Sequence, residues 1–255
     1  MAIYSTALKK VINISLNPVL LLQKLNSMNN NIKIRRLKGI HKGETAILIG
    51  NGPSVKFEDL NRLSNYVTFA CNRFHLCYDD TTFRPTYTIS ADPQMIRDFG
   101  AEIEEKSWGK VFLCSPAYRK PTKDTSIHLK LNGNAPWFNS PTKGINPSGA
   151  TLIVAMQIAY YMGINKFILY GVDHKFSFQQ NKSKTSILDS AIGGENHFIP
   201  NYRSNKPWCP PATDAIEQGF KECARFLEQQ DGSILNASRL SQLPFIERVD
   251  FDSIF

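Results

Sequence analysis

A chain of 255 residues can bury a full core, and its 42% apolar and 20% charged residues are ordinary for a soluble globular protein, so a single α/β domain is the simplest expectation. The net charge of +8 would suit a nucleic-acid or membrane partner, but its placement speaks against nucleic acid. Residues 1–44 hold Lys9, Lys10, Lys24, Lys33, Arg35, Arg36, Lys38 and Lys42 against Glu44 alone, leaving only +1 on the other 211 residues.

The predicted organisation is therefore a basic, partly apolar leader over 1–44 and a near-neutral catalytic domain over 45–255. In the leader, the apolar runs at 11–16 and 19–22 are separated by Asn17-Pro18. They are too short and too broken to cross a bilayer, and no small-residue cleavage site follows. Two readings of 1–44 stand side by side: peripheral contact with an anionic inner-membrane surface, or a basic arm that is solvated or packed on the body. The five cysteines (Cys71, Cys77, Cys114, Cys209, Cys223) are odd in number and form no C-x-x-C pair, which fits a reducing cytoplasm.

A buried strand is predicted over 45–49, where four apolar residues leave no polar face for water. It stops at Gly50-Asn51-Gly52-Pro53-Ser54, and a helix is expected from about Glu58. Further strands are predicted over 66–71, 86–90, 110–114 and 126–131, with a helix over 94–106 between the third and fourth. A loop over 132–147 leads to Ser148-Gly149, which open an apolar helix to Met162, and another buried strand covers 166–170. Residues 175–207 are polar and aperiodic, and a stretch of that length reads as a lid over a site. A helix from Pro210-Pro211 to about Gln230, then a strand over 233–235, complete the alternation. The fold class that follows is a single Rossmann-like domain, a mostly parallel doubly wound sheet with a lid-like insertion.

In such sheets ligands sit beyond the carboxyl ends of the strands. Asn51, Asn72, Asp92 and Asp173 each follow a predicted strand directly and should share one rim. A strand, a glycine-rich turn and a helix make a phosphate-binding arrangement, although a plain β-to-α turn has the same local signature. The turn is neither G-x-G-x-x-G nor a Walker sequence, so NAD and P-loop chemistry do not follow. Neutral amides at Asn51 and Asn72 suit a ribose, base or phosphate, and Asp92 suits a sugar hydroxyl or a metal. Ser148 and Gly149 at a helix N-terminus favour an anion. His174 and Lys175 would offset charge on a leaving phosphate, and His197 would take a proton from an acceptor hydroxyl. His75 and His128 are read as structural. Asp79-Asp80 and Asp250-x-Asp252 are weak candidates for a divalent cation.

Taken together, Gly50 to Ser54, Cys71-Asn72-Arg73-Phe74, Asp92-Pro93, Ser148-Gly149, Gly171-Val172-Asp173 and Asn196-His197-Phe198-Ile199 resemble, in order and approximate spacing, the bacterial sialyltransferases that modify Campylobacter lipooligosaccharide. That resemblance implies a metal-independent glycosyltransferase with no cofactor. A CMP-activated acidic sugar would be bound by Gly50, Asn51, Gly52, Pro53, Ser54, Asn72, Ser148 and Gly149, and His197 would be the general base. Its glycan acceptor would belong to a lipopolysaccharide or capsule. The chain departs from that family at Asp92, where the family has asparagine, and at His174, Lys175 and Phe176, where it uses tyrosines on the leaving phosphate. The first half also resembles the MptE-like pterin diphosphokinase family, which shares the Gly-x-Gly-Pro-Ser turn, an Asp-Pro after a strand and a Gly-x-Asp. That resemblance implies an ATP- and magnesium-dependent diphosphokinase, with Asp92 and Asp173 on the metal. A non-catalytic scaffold in polysaccharide assembly is the third expectation, and self-association into a homo-oligomer is left open.

Overall fold

The structure is a computed structural model that describes residues 18–116, 122–176, 196–204, 206 and 210–255. The apolar run at 11–16, Cys209 and most of the predicted lid, residues 177–195, lie outside them.

Eight parallel strands form one sheet: β1 (Thr45–Ile49), β2 (Val67–Cys71), β3 (Tyr87–Ser90), β4 (Lys110–Ser115), β5 (Ser126–Lys130), β6 (Lys166–Tyr170), β7 (Ser233–Asn236) and β8 (Glu247–Arg248). Their order is β5-β4-β3-β2-β1-β6-β7-β8. The chain lays β1 to β5 outward on one side, then crosses back to place β6 on the other side of β1. This reversal, with Ile49 opposite Tyr170, is the topological switch point where doubly wound sheets open a crevice for ligands.

Helices cover both faces, as parallel strands require. The pleat sends Ala46 and Leu48 to one face and Ile47 and Ile49 to the other, and all four are fully buried. The first face packs against α4 (Thr151–Tyr161), whose residues 152–159 are all buried, and against α5 (Thr213–Glu228) through Phe220, Cys223 and Leu227. The second face packs α2 (Phe57–Arg62), α3 (Pro93–Lys106) and α6 (Phe251–Ile254) through Leu60, Met95, Phe99, Ile103 and Phe251.

Pro18 does not break the N-terminal region but begins α1 (Pro18–Arg35), where its missing N–H costs nothing. This helix closes the β5 edge of the sheet. The Asn30 side-chain amide donates to the His128 carbonyl at 2.6 Å and accepts from the His128 N–H at 3.0 Å, standing in for a missing neighbouring strand. Next, the Gly39 and His41 N–H groups donate to the Tyr161 and Met162 carbonyls, tying this turn to the end of α4. The described cysteines Cys71, Cys77, Cys114 and Cys223 are buried free thiols. Burial raises all four above the ordinary range, Cys77 to about 12, so they pack rather than react.

Candidate functional site

A cavity of about 230 Å³ opens at the switch point, over the carboxyl ends of β1, β2 and β6. Gly50, Asn51, Gly52, Pro53, Asn72, Asp92, Gly149, Asp173, His174, Lys175 and His197 all line it. Of the residues expected from sequence, Ser54 and Ser148 stand behind the wall.

The glycines of the first turn have a packing reason. A Cβ on Gly50 would sit 2.3 Å from the Gly171 carbonyl oxygen, and one on Gly52 would sit 2.6 Å from Asp173 Oδ2. Gly171, at φ 69°, has Val55 in the position its own Cβ would need. The β1 and β6 loops therefore close on each other here, and it is this closeness that requires glycine. Asp173 is the clasp: one carboxylate oxygen accepts from the Ser54 N–H at 2.7 Å and the other accepts the Ser54 hydroxyl.

Asp92 is the N-cap of α3, with Oδ1 accepting from the Gln94 and Met95 N–H groups at 2.8 and 3.2 Å. The apolar helix expected over 150–162, after Ser148-Gly149, spans Thr151–Tyr161 and so begins one residue later than expected. Ser148 and Gly149 are in the left-handed region (φ 44° and 80°), which a helix start cannot accommodate, and Ser148 turns back to donate to Asn146 Oδ1 at 2.7 Å. The N-cap of α4 is Ala150, which has no side-chain acceptor to offer. Gly149, Ala150, Thr151 and Leu152 line the cavity, so the first turn of α4, without a side-chain cap, borders it, an arrangement suited to an anion.

Asn51 donates to the Cys71 carbonyl at 3.2 Å and to the Tyr202 hydroxyl at 3.0 Å, while its buried Oδ1 has no hydrogen-bond partner among the described residues. Asn72, at φ 55°, accepts the Ser90 hydroxyl at 2.8 Å. The His197 ring stacks on Tyr202 with centroids 4.0 Å apart, and the Phe198 N–H donates to the Asn51 carbonyl at 3.0 Å. Burial pushes the Tyr202 phenol up, so it stays protonated.

A cluster of cations fastens the 196–206 segment. Arg73 lies 4.0 Å over the Phe99 ring, with Lys206 at 4.6 Å and Arg203 at 5.3 Å. Arg73 also donates to the Tyr202 carbonyl and forms a salt bridge with Glu102 at 2.9 Å, and Arg203 pairs with Asp98 at 2.8 Å. His75 joins Glu102 at 2.8 Å, consistent with the structural role expected of it. Across the cavity, His174 Nε2 meets Glu217 Oε1 at 2.9 Å. Sequence reasoning missed Tyr202, Glu217 and the clamp at Phe99, because each pairs residues far apart in the chain with no local pattern to mark them.

Neither weak cation motif lines this cavity. Asp252 pairs with Arg62 at 2.5 Å and Arg239 at 3.3 Å, which pins α6 to the body. Asp79 and Asp80 are exposed, and no group of three or more His, Cys, Asp or Glu side chains converges among the described residues.

The family model described as 6-hydroxymethylpterin diphosphokinase MptE-like matches residues 21–179. The chain belongs to the MptE-like family. The match covers α1 from Leu21, the whole stretch from β1 to β6 of this MptE-like fold and the turns at Gly50 and Asp173, but ends before His197 and Tyr202. A solved structure of the sialyltransferase CstII from Campylobacter jejuni, in complex with a substrate analogue, cytidine-5'-monophosphate, is similar at 14% identity and a TM-score of 0.44, covering 82% of this chain and 86% of that one. No curated protein matches. The MptE-like family is one of the two that the sequence motifs resemble.

Burial lowers the His197 pKa from 6.5 to about 4, and the Arg203 guanidinium adds to the effect. Above pH 6.5 the ring is neutral in both folded and unfolded chains and costs nothing. Between pH 6.5 and 4 the unfolded chain takes a proton that the folded one refuses, so stability falls by about 1.4 kcal/mol per pH unit, about 3 kcal/mol in all. Urea titrations of wild type and His197→Phe at neutral and mildly acidic pH are expected to show a shallower acid loss in the variant. Parallel pH dependence in both would refute a His197 held neutral in the folded chain.

Proposed function

We propose that this MptE-like protein is a glycosyltransferase that moves an acidic sugar from a CMP donor to a hydroxyl of a bacterial lipopolysaccharide or capsule acceptor, without a metal. The observation that carries the reading is a histidine kept neutral by burial, in one cavity with a glycine turn and the uncapped amides of α4. The CMP-sugar itself is supported only by the order of motifs in the sequence. In this mechanism the α4 amides and Lys175 hold the donor phosphate, and the unpartnered Asn51 Oδ1 accepts from the nucleotide. His197 removes the acceptor proton as the sugar–phosphate bond breaks and CMP departs with the bonding electrons. An anion seated nearby would raise the His197 pKa and so strengthen the base at the moment it is needed.

A second reading, transfer of a diphosphoryl group from ATP, is favoured by the family match. Its magnesium would fall to Asp92 and Asp173. Both Asp173 oxygens already accept from Ser54 and Asp92 Oδ1 caps α3, so a cation would share these oxygens with the bonds that hold the turn and the helix start.

Thermal-shift measurements with CMP, UDP, GDP and ATP, each with and without magnesium, separate the readings. CMP is expected to raise Tm by about 5–10 °C at roughly 100 times its Kd, with or without magnesium. A shift confined to ATP with magnesium would move the assignment to the diphosphokinase. No shift with any nucleotide would leave a non-catalytic scaffold.

A further inference from the structure

We infer that the solvent-facing side of α1 is a docking surface for an anionic lipid bilayer. Leu21, Leu25, Met28 and Ile32 follow one another at offsets of four, three and four residues, which aligns them in one stripe along the helix. All four are exposed, at 42%, 52%, 53% and 47%. The opposite side of the same helix is already used, with Asn30 and Ile34 buried at 5% and 2% against the sheet edge. A helix that seats one side on the core and shows four consecutive large apolar residues on the other has a second surface to cover.

Charge selects the occupant. The α1 sequence contains Lys24, Lys33 and Arg35 and no acidic residue, and the turn that follows adds exposed Arg36, Lys38 and Lys42. Lys33 is engaged with Asp124. Arg35, Arg36, Lys38 and Lys42 are exposed and follow directly on Ile32, so they bring positive charge to the C-terminal end of the stripe. Two copies pairing through α1 would bring these cations together, whereas an anionic lipid surface would neutralise them while its acyl region took up the stripe. No described helix is long and apolar enough to cross a membrane, so the contact would lie in the interface. Within the basic leader, the surface thereby falls on the outer face of α1, which takes Leu21 from the run at 19–22. It is independent of the reaction.

Co-sedimentation of the full chain with phosphatidylcholine vesicles, alone or containing about one-third phosphatidylglycerol, is the test. Binding to the anionic vesicles is expected to be at least about tenfold stronger and to weaken as salt rises. The pair Leu25→Glu and Ile32→Glu should lower it by at least about tenfold, with circular dichroism and Tm held near wild type because neither side chain is buried. Arg35→Gln with Arg36→Gln should reduce the anionic preference without touching the stripe. Unchanged binding by the Glu pair, or binding lost only when residues 1–17 are removed, would overturn the assignment. So would a lipid-free dimer, seen by analytical ultracentrifugation, that the same Glu pair dissociates.

Discussion

His197→Ala is expected to lower kcat by about 100- to 10,000-fold while nucleotide affinity stays within about threefold of wild type. The split follows from where the ring sits. It stacks on Tyr202 at the cavity wall, whereas Asn51 and the first amides of α4 make the polar wall assigned to the donor. A proton acceptor needed only in the transition state lowers kcat and kcat/KM together when removed. The acid limb of kcat/KM in the wild type should fall well below the ordinary histidine value of about 6.5, toward the folded-state value of about 4, because that profile reports the unliganded enzyme. Turnover assays with a CMP-sugar and isothermal titration of CMP measure the two halves separately. A variant that turns over normally, or one that loses nucleotide and activity in equal measure, would remove His197 from the proton transfer.

Most of the fold could be read from the sequence because its strands carry a strong local signal. β1 and β6 are short apolar runs ended abruptly by glycine, and each predicted strand that matters for the site lies within a residue or two of the observed one. Parallel pairing then brings the residue after each strand to one rim, so Asn51, Asn72, Asp92 and Asp173 were placed together without knowledge of any contact. What the sequence hid was backbone conformation and long-range pairing. Ser148 looks like a helix opener, yet its positive φ puts it outside α4. Asp173 looks like a ligand group, yet its partner is Ser54, 119 residues earlier. Arg73, Arg203 and Lys206 share Phe99 through packing that no spacing rule describes.

That clasp gives the second large effect. Asp173→Ala is expected to destabilise the protein by about 3 kcal/mol, lowering Tm by about 6–12 °C, because the buried Ser54 N–H and hydroxyl lose a charged acceptor together. Ser54→Ala removes only the hydroxyl, so it should cost less. In the double variant the two losses should fall short of adding by about 1–3 kcal/mol, the coupling expected of residues in direct contact. The same substitutions weigh the two chemistries. If Asp173 holds the turn, Asp173→Asn loses stability and CMP affinity together, since the Gly50-to-Ser54 wall loosens with it. If Asp173 instead served a metal in a diphosphokinase, Asp173→Asn would keep its Tm and lose only the magnesium-dependent ATP shift. Urea and thermal denaturation of the wild type and these four variants, read beside CMP and ATP titrations, give opposite results for the two roles. The two hydrogen bonds from Ser54 favour the first, because both carboxylate oxygens are already engaged in holding the turn, a buried contact that a cation drawing on the same oxygens would weaken.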